Sequence, residues 1–194
     1  MKQIKYIVGF LISLATEPEQ TWTALAKGNT ADSRTDYMQH NYYFPLLGFM
    51  SLMVFLFGGL YETADGELFN LQRAMVMMVP PLVGFFVGPY LAVFIIRPLL
   101  VNFLHVPNPD STRLQLFVFY STSFLVALQA VTAVLPSIRF LQFVAYYLVY
   151  ITWCGSSIYI RVEQGKRWFF GFASFLIIYL SPDVVMRLLR LFQR

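Results

Sequence analysis

Charged residues along this chain are spaced so that long apolar windows lie between them. Arg73 and Arg97 enclose 23 residues without a charge, Arg113 and Arg139 enclose 25, and Arg139 and Arg161 enclose 21. Asp36 and Glu62 enclose another 25, of which the last 20 or so are strongly apolar. A helix needs about 20 apolar residues to cross a hydrocarbon core of about 30 Å, so these four windows have the length outright. A fifth, Trp168 to Pro182, holds 15 residues and continues as an apolar run after Asp183. Buried helices of soluble proteins still carry a polar stripe with charges every turn or two, and none of these windows does. The pattern predicts an all-α fold: a polytopic integral membrane bundle of five transmembrane helices, over about 42–61, 74–96, 114–135, 140–160 and 168–186.

The stretch before the first span, 1–41, is expected to form a cytoplasmic or interfacial segment ahead of a transmembrane domain over 42–194. Lys2 and Lys5 followed by the apolar run Ile7 to Ala15 fit either an uncleaved interfacial helix or a signal peptide with Ser13 and Ala15 as its small-x-small site. Thr16 and Glu19 have capping-box spacing, Pro18 suits a first helical turn, and Gly28 is a plausible stop. Trp22, Leu25 and Ala26 share one face of that short helix, which suits a position at the headgroups. Pro18 and Trp22 are therefore candidates for a partner-facing interfacial helix. Asn29 to Gln39 lacks apolar periodicity and reads as a loop, and the tyrosines at the ends of the first span, Tyr42 and Tyr61, read as interfacial anchors. Ser181-Pro182-Asp183 reads as the start of a short tail helix, with Arg187, Arg190 and Arg194 on one side.

Composition agrees with the pattern and then adds an orientation. The chain is 58% hydrophobic and 12% charged, against about 45–50% and about 25% in soluble domains. With five spans, the N-terminal side carries nine Lys and Arg and the opposite side five. That excess puts the N-terminus in the cytoplasm. Removing a signal peptide would move the more basic side outward, which favours the uncleaved form. The net charge of +4 is scattered over loops and tails, with no basic cluster of the kind that tracks nucleic-acid phosphates.

Uncharged polar and small residues supply the candidate sites. Gly84, Gly88 and Ala92 repeat at four-residue spacing along the second span. Such a stripe lets another helix approach closely, inside the same bundle or across a homo-oligomer. Ser121, Gln129 and Thr132 share a face of the third span, and Gln142, Tyr146, Trp153 and Ser157 share one of the fourth. Such groups either hydrogen-bond across helices or line a polar groove for a lipid headgroup or small solute. No Asp, Glu, Lys, Arg or His lies in the middle of any predicted span, which argues against proton-coupled pumping. His40 and His105 fall in loops, and the "CGSS" stretch from Cys154 to Ser157 has no base placed to activate a nucleophile. No catalytic residue, metal ligand or cofactor is expected.

The ordered motifs "ATEPEQTWTALAKG", "YYFPLLGFMSLMVF", "FVFYSTSFLVAL", "VLPSIR", "VYITWCGSSI" and "LIIYLSPDVVMRLL" resemble the bacterial branch of the Yip family, over nearly the whole chain. These are small five-span membrane proteins named for relatives that bind Ypt/Rab GTPases. The resemblance implies five transmembrane helices, a cytoplasmic N-terminus, no enzymatic activity and a place in the bacterial inner membrane. The eukaryotic members' acidic N-terminal patch and Asp-Leu-Tyr-Gly-Pro motif have no counterpart here. Two functional expectations result. One is a membrane scaffold or assembly factor that recruits a protein through the cytoplasmic Trp22 helix and loops; the other is a small-solute or lipid transporter or channel using the polar faces of spans three and four.

Overall fold

Each apolar window folds as helix, and the described residues of this computed structural model (2–28, 35–60, 69–103, 110–138 and 140–192) contain no strand. Helix α1 (Lys2–Thr16) is followed after Glu17 by α2 (Pro18–Lys27). Helix α3 (Thr35–Met38) passes through a π-helical turn, Gln39–Tyr43, into α4 (Phe44–Leu60). Helix α5 (Leu71–Pro98) ends in a second π turn, Leu99–Phe103, and α6 (Ser111–Val134) follows. Then come α7 (Leu141–Val144), a 3₁₀ turn (Ala145–Tyr147), α8 (Leu148–Ile158) and α9 (Arg167–Phe192). The connections expected around Thr63 and Pro107, and Tyr61, His105, Arg139 and Arg194, lie outside the described residues.

Contacts between neighbours fix the direction of each leg. Gly58, near the end of α4, faces Met77, near the start of α5. Gly84 of α5 meets Met186 and Gly88 meets Pro182, so α5 and α9 run antiparallel. Tyr146 stacks on Tyr179 (6.2 Å) and Trp153 lies beside Trp168 (5.7 Å), so the run from α7 to α8 also opposes α9. The bundle thus has five legs alternating in direction, with α1 and α2 packed at the end where α4, α6 and α9 begin. We call that the near end, and the opposite one the far end.

Among the described residues four helical stretches are long and apolar enough to cross a membrane: Thr35–Leu60, Leu71–Asn102, Ser111–Val134 and Gln164–Leu191. The leg over the predicted fourth span is shorter and broken into α7, the 3₁₀ turn and α8. Because a 3₁₀ residue rises about 2.0 Å against 1.5 Å in an α-helix, this stretched leg reaches roughly 28 Å, close to the thickness of a hydrocarbon core.

Helix α6 is the axis of the bundle: Leu114 and every residue from Leu116 to Val126 are buried. Its polar waist, Ser121-Thr122-Ser123, is inside, whereas Phe94, Phe143 and Trp168 on the outer legs are 77%, 72% and 70% exposed. Small polar groups within and large apolar groups without are the arrangement that a lipid solvent permits, since there packing and interhelical hydrogen bonds hold helices together.

Prolines in the legs are accommodated by hydrogen-bond donors from elsewhere. A helical proline supplies no N–H to the carbonyl four residues earlier. Pro89 leaves the Phe85 carbonyl open, and the buried Tyr43 hydroxyl donates to it at 2.6 Å. Pro45 stands four residues after Asn41, whose carbonyl accepts from the Gln3 side-chain amide of α1 at 3.1 Å. Pro182 leaves the Ile178 carbonyl, to which Ser181 Oγ donates at 3.4 Å.

Several local expectations are corrected. Pro182 is seated with its ring against Gly88 and its carbonyl against Gly84, and α9 runs unbroken through the place where a tail helix was expected. Helical structure begins at Thr35, inside the stretch 29–39 expected as a loop, of which 29–34 lie outside the described residues. Tyr42 is no interfacial anchor: it is 1% exposed. Ser123 Oγ donates to the Tyr120 carbonyl at 2.6 Å, so the Tyr42 hydroxyl donates to Ser123 at 2.9 Å. The Thr16–Glu19 capping box does not form. Thr16 Oγ1 donates back to the Ile12 carbonyl (2.9 Å), and Glu17 precedes Pro18 without a side-chain cap.

Candidate functional site

Trp22 is where the sequence reading and the fold part most clearly. Its ring is fully buried, between Phe117 of α6 (centroids 5.5 Å) and Tyr159 beyond α8 (5.4 Å), and its indole N–H donates to the Ile151 carbonyl at 3.1 Å. The indole has room because residue 155 is glycine: a Cβ there would lie 2.6 Å from Phe117 and 2.9 Å from Trp22. Pro18 is buried as well. Neither residue is at the surface, because the apolar face of α2 is spent on the bundle. The outward face of α2 is instead the polar set Glu19, Gln20 and Lys27. Gly155 therefore belongs to helix packing, and "CGSS" holds a buried free cysteine.

The small-residue stripe is occupied from within the chain. A Cβ on Gly84 would come within 2.9 Å of the Pro182 carbonyl, one on Gly88 within 2.9 Å of the Pro182 ring, and Ala92 is fully buried. The stripe seats α9.

The predicted polar groove is partly assembled. At the far end, an open cavity of about 980 Å³ lies between α4, α5, the end of α6, α7 and α9. Gln129 and Thr132 line it from α6 and Gln142 from α7. Val54, Phe57, Phe85, Leu125 and Leu128 give it apolar walls, and Pro81 and Pro182 line it where α5 and α9 meet. Its size is within the range of about 300–1,000 Å³ usual for ligand sites. The irregular backbone from α7 into the 3₁₀ turn borders this cavity through Gln142 and Ala145. Departures from α-helix at membrane depth are tolerated beside such a cavity.

Ser121 and Ser157 are not in it. Ser121 faces inward two turns below Gln129 and is fully buried. It sits one turn beyond Phe117, just as Ser174 sits one turn beyond Phe170, and Phe117 and Phe170 stack at 6.1 Å. Both serine hydroxyls are buried without a hydrogen-bond partner among the described residues. Ser157 lies near the near end, where its hydroxyl donates to the Cys154 carbonyl at 2.9 Å. Tyr146 and Trp153 point outward.

What the sequence reading missed is the contribution of α9. Tyr179, Pro182, Asp183, Met186, Arg187 and Arg190 all line the cavity, at the i, i+3, i+4, i+7 spacing of one helical face. Arg187 Nε donates to Asp183 Oδ2 at 2.8 Å. Helical periodicity from Tyr179 to Arg190 carried this signal, but reading Pro182 as a break hid it. Among the described residues no three His, Cys, Asp or Glu side chains group as metal ligands would. Comparison of the chain with protein-family models, with curated proteins and with solved structures finds no match.

Proposed function

We propose that this chain is a non-enzymatic, multi-pass integral membrane protein of Yip type that receives an amphiphile, a membrane lipid, in the far-end groove. The observation that carries the reading is the groove's composition. Apolar walls from α4, α5 and α6 rise to amides and a hydroxyl at Gln129, Thr132 and Gln142, and then to the charges of α9. That order of chemistry parallels the order along a lipid, from acyl chain through ester to headgroup. The Yip assignment is supported by the motifs in the sequence and by the five alternating legs. A bacterial inner membrane with a cytoplasmic N-terminus is the setting it implies. Recruitment of a partner through the Trp22 side chain has no place in this reading, since that side chain is inside.

The test is thermal unfolding of the whole chain in a short-chain detergent with and without added long-chain phospholipid. Phospholipid is expected to raise the Tm of the wild type. Leu128→Trp, which fills the groove from α6, should remove that rise while leaving the lipid-free Tm within a few degrees. A wild type indifferent to lipid, or a rise that survives in Leu128→Trp, would defeat the proposal.

A further inference from the structure

The groove's mouth has a charge pattern that its walls do not explain. Asp183, Arg187 and Arg190 follow one another at four and three residues on the face of α9 that lines the cavity, so their side chains are neighbours. Asp183 takes Arg187 Nε at 2.8 Å. An exposed pair of this kind contributes little to stability; its effect is to hold one guanidinium beside the mouth, with its terminal nitrogens still available. Arg190 has no ion-pair partner among the described residues. Two arginines against one carboxylate give the described residues lining the mouth a net charge of +1.

Depth along α9 puts these charges at a defined level. The 26 residues of α9 make a rod of about 39 Å at 1.5 Å per residue, longer than a hydrocarbon core of about 30 Å. Its last turns therefore emerge among the headgroups, while Tyr179 and Pro182 remain beside the apolar walls. Arginines near a helix C-terminus also complement the dipole, but that role asks nothing of the cavity they line.

We infer that the mouth recognises the phosphate of a monoanionic phospholipid whose acyl chain lies in the groove, with Arg190 and the Asp183-held Arg187 as its contacts. This rests on the groove reading above and adds the headgroup. A phosphodiester carries one negative charge and presents two free oxygens, which suits guanidinium donors in a planar fork. The net +1 of the mouth matches it. A zwitterionic headgroup would bring its ammonium to the same arginines.

The experiment is native mass spectrometry of the full chain from detergent, titrated separately with phosphatidylglycerol, phosphatidylcholine and inorganic phosphate. Wild type is expected to bind phosphatidylglycerol at least about tenfold more tightly than phosphatidylcholine, because only phosphatidylcholine brings a cation that offsets its phosphate and repels the same arginines. Arg187→Gln/Arg190→Gln should erase that preference by bringing phosphatidylglycerol binding down to the level of phosphatidylcholine binding, with an unaltered helical circular dichroism spectrum as the folding control. Leu128→Trp should remove both lipids. Equal binding of the two lipids by wild type, still lost in Leu128→Trp, overturns the headgroup inference and leaves the groove reading standing. No lipid binding at all overturns both. Inorganic phosphate that competes fully with phosphatidylglycerol overturns the lipid assignment in favour of a small-anion site.

Discussion

Tyr43 holds two legs together with one hydroxyl. Its ring is fully buried against Phe119 (4.9 Å, edge-on), and its oxygen reaches the carbonyl that Pro89 leaves unserved on α5. Tyr43→Phe keeps the packing and orphans that carbonyl, for an expected loss of about 1–3 kcal/mol. Pro89→Ala would give residue 89 an N–H aimed at the same oxygen. In the Pro89→Ala background Tyr43→Phe should therefore cost clearly less, so that a double-mutant cycle on unfolding free energies returns a favourable coupling. Equal costs in both backgrounds would mean that the bond does not answer the proline. The pairing was half legible beforehand. That prolines in the second span need outside donors follows from the absent N–H, but which donor answers depends on α4 and α5 lying side by side in register.

At the scale of elements, α1 and α2 are structural parts of the bundle. Leu14 of α1 and Trp22 of α2 are fully buried, Phe10 packs on Tyr42 (5.0 Å) and Tyr120 (4.7 Å), and Ser13 and Thr21 hydroxyls share a hydrogen bond of 2.7 Å. Trp22→Ala should destabilise the protein by about 3–5 kcal/mol, the usual range for a buried tryptophan, read as a lower Tm and as protease cleavage between α2 and α3. A variant as stable as wild type would restore Trp22 to the surface. The sequence made the existence and stop of α2 readable, because Pro18 and Gly28 act locally. It misjudged the direction of the Trp22 face, because an apolar stripe suits a headgroup layer and a protein groove equally. Burial there depends on Gly155, 133 positions further along the sequence and visible as a seat only once α8 is beside α2. The candidate groove divided for a similar reason. Gln129, Thr132 and Gln142 share a face and also a level, whereas Ser121 and Ser157 share the face but stand turns away from the far end.

For the whole molecule the open quantity is how many of the five legs cross the bilayer. Four are long and apolar enough by themselves. The fifth, from Leu141 to Ile158, begins at the far-end cavity with Gln142 and ends at the near end, where Ile151 and Tyr159 receive Trp22. A leg that joins both ends of the bundle crosses whatever its neighbours cross, which is why five crossings are expected. The exposed Ser137 and Glu163 flank this leg, and the chain's single cysteine, Cys154, is buried. Ser137→Cys and Glu163→Cys can therefore be labelled in intact cells with a membrane-impermeant maleimide against a low background. The proposed setting, in which the side of the chain with nine Lys and Arg against five in the sequence faces the cytoplasm, would put the near end there. Ser137→Cys should then react in intact cells, and Glu163→Cys only after the membrane is opened. The same pattern would put Arg187 and Arg190 at the outer headgroups, where a lipid-receiving mouth meets the outer leaflet. Reaction of both cysteines from one side would instead mean that α7 and α8 fold back within the bilayer. Reaction with the sides exchanged would turn the mouth toward the cytoplasmic leaflet, whose anionic lipids the arginines would then meet.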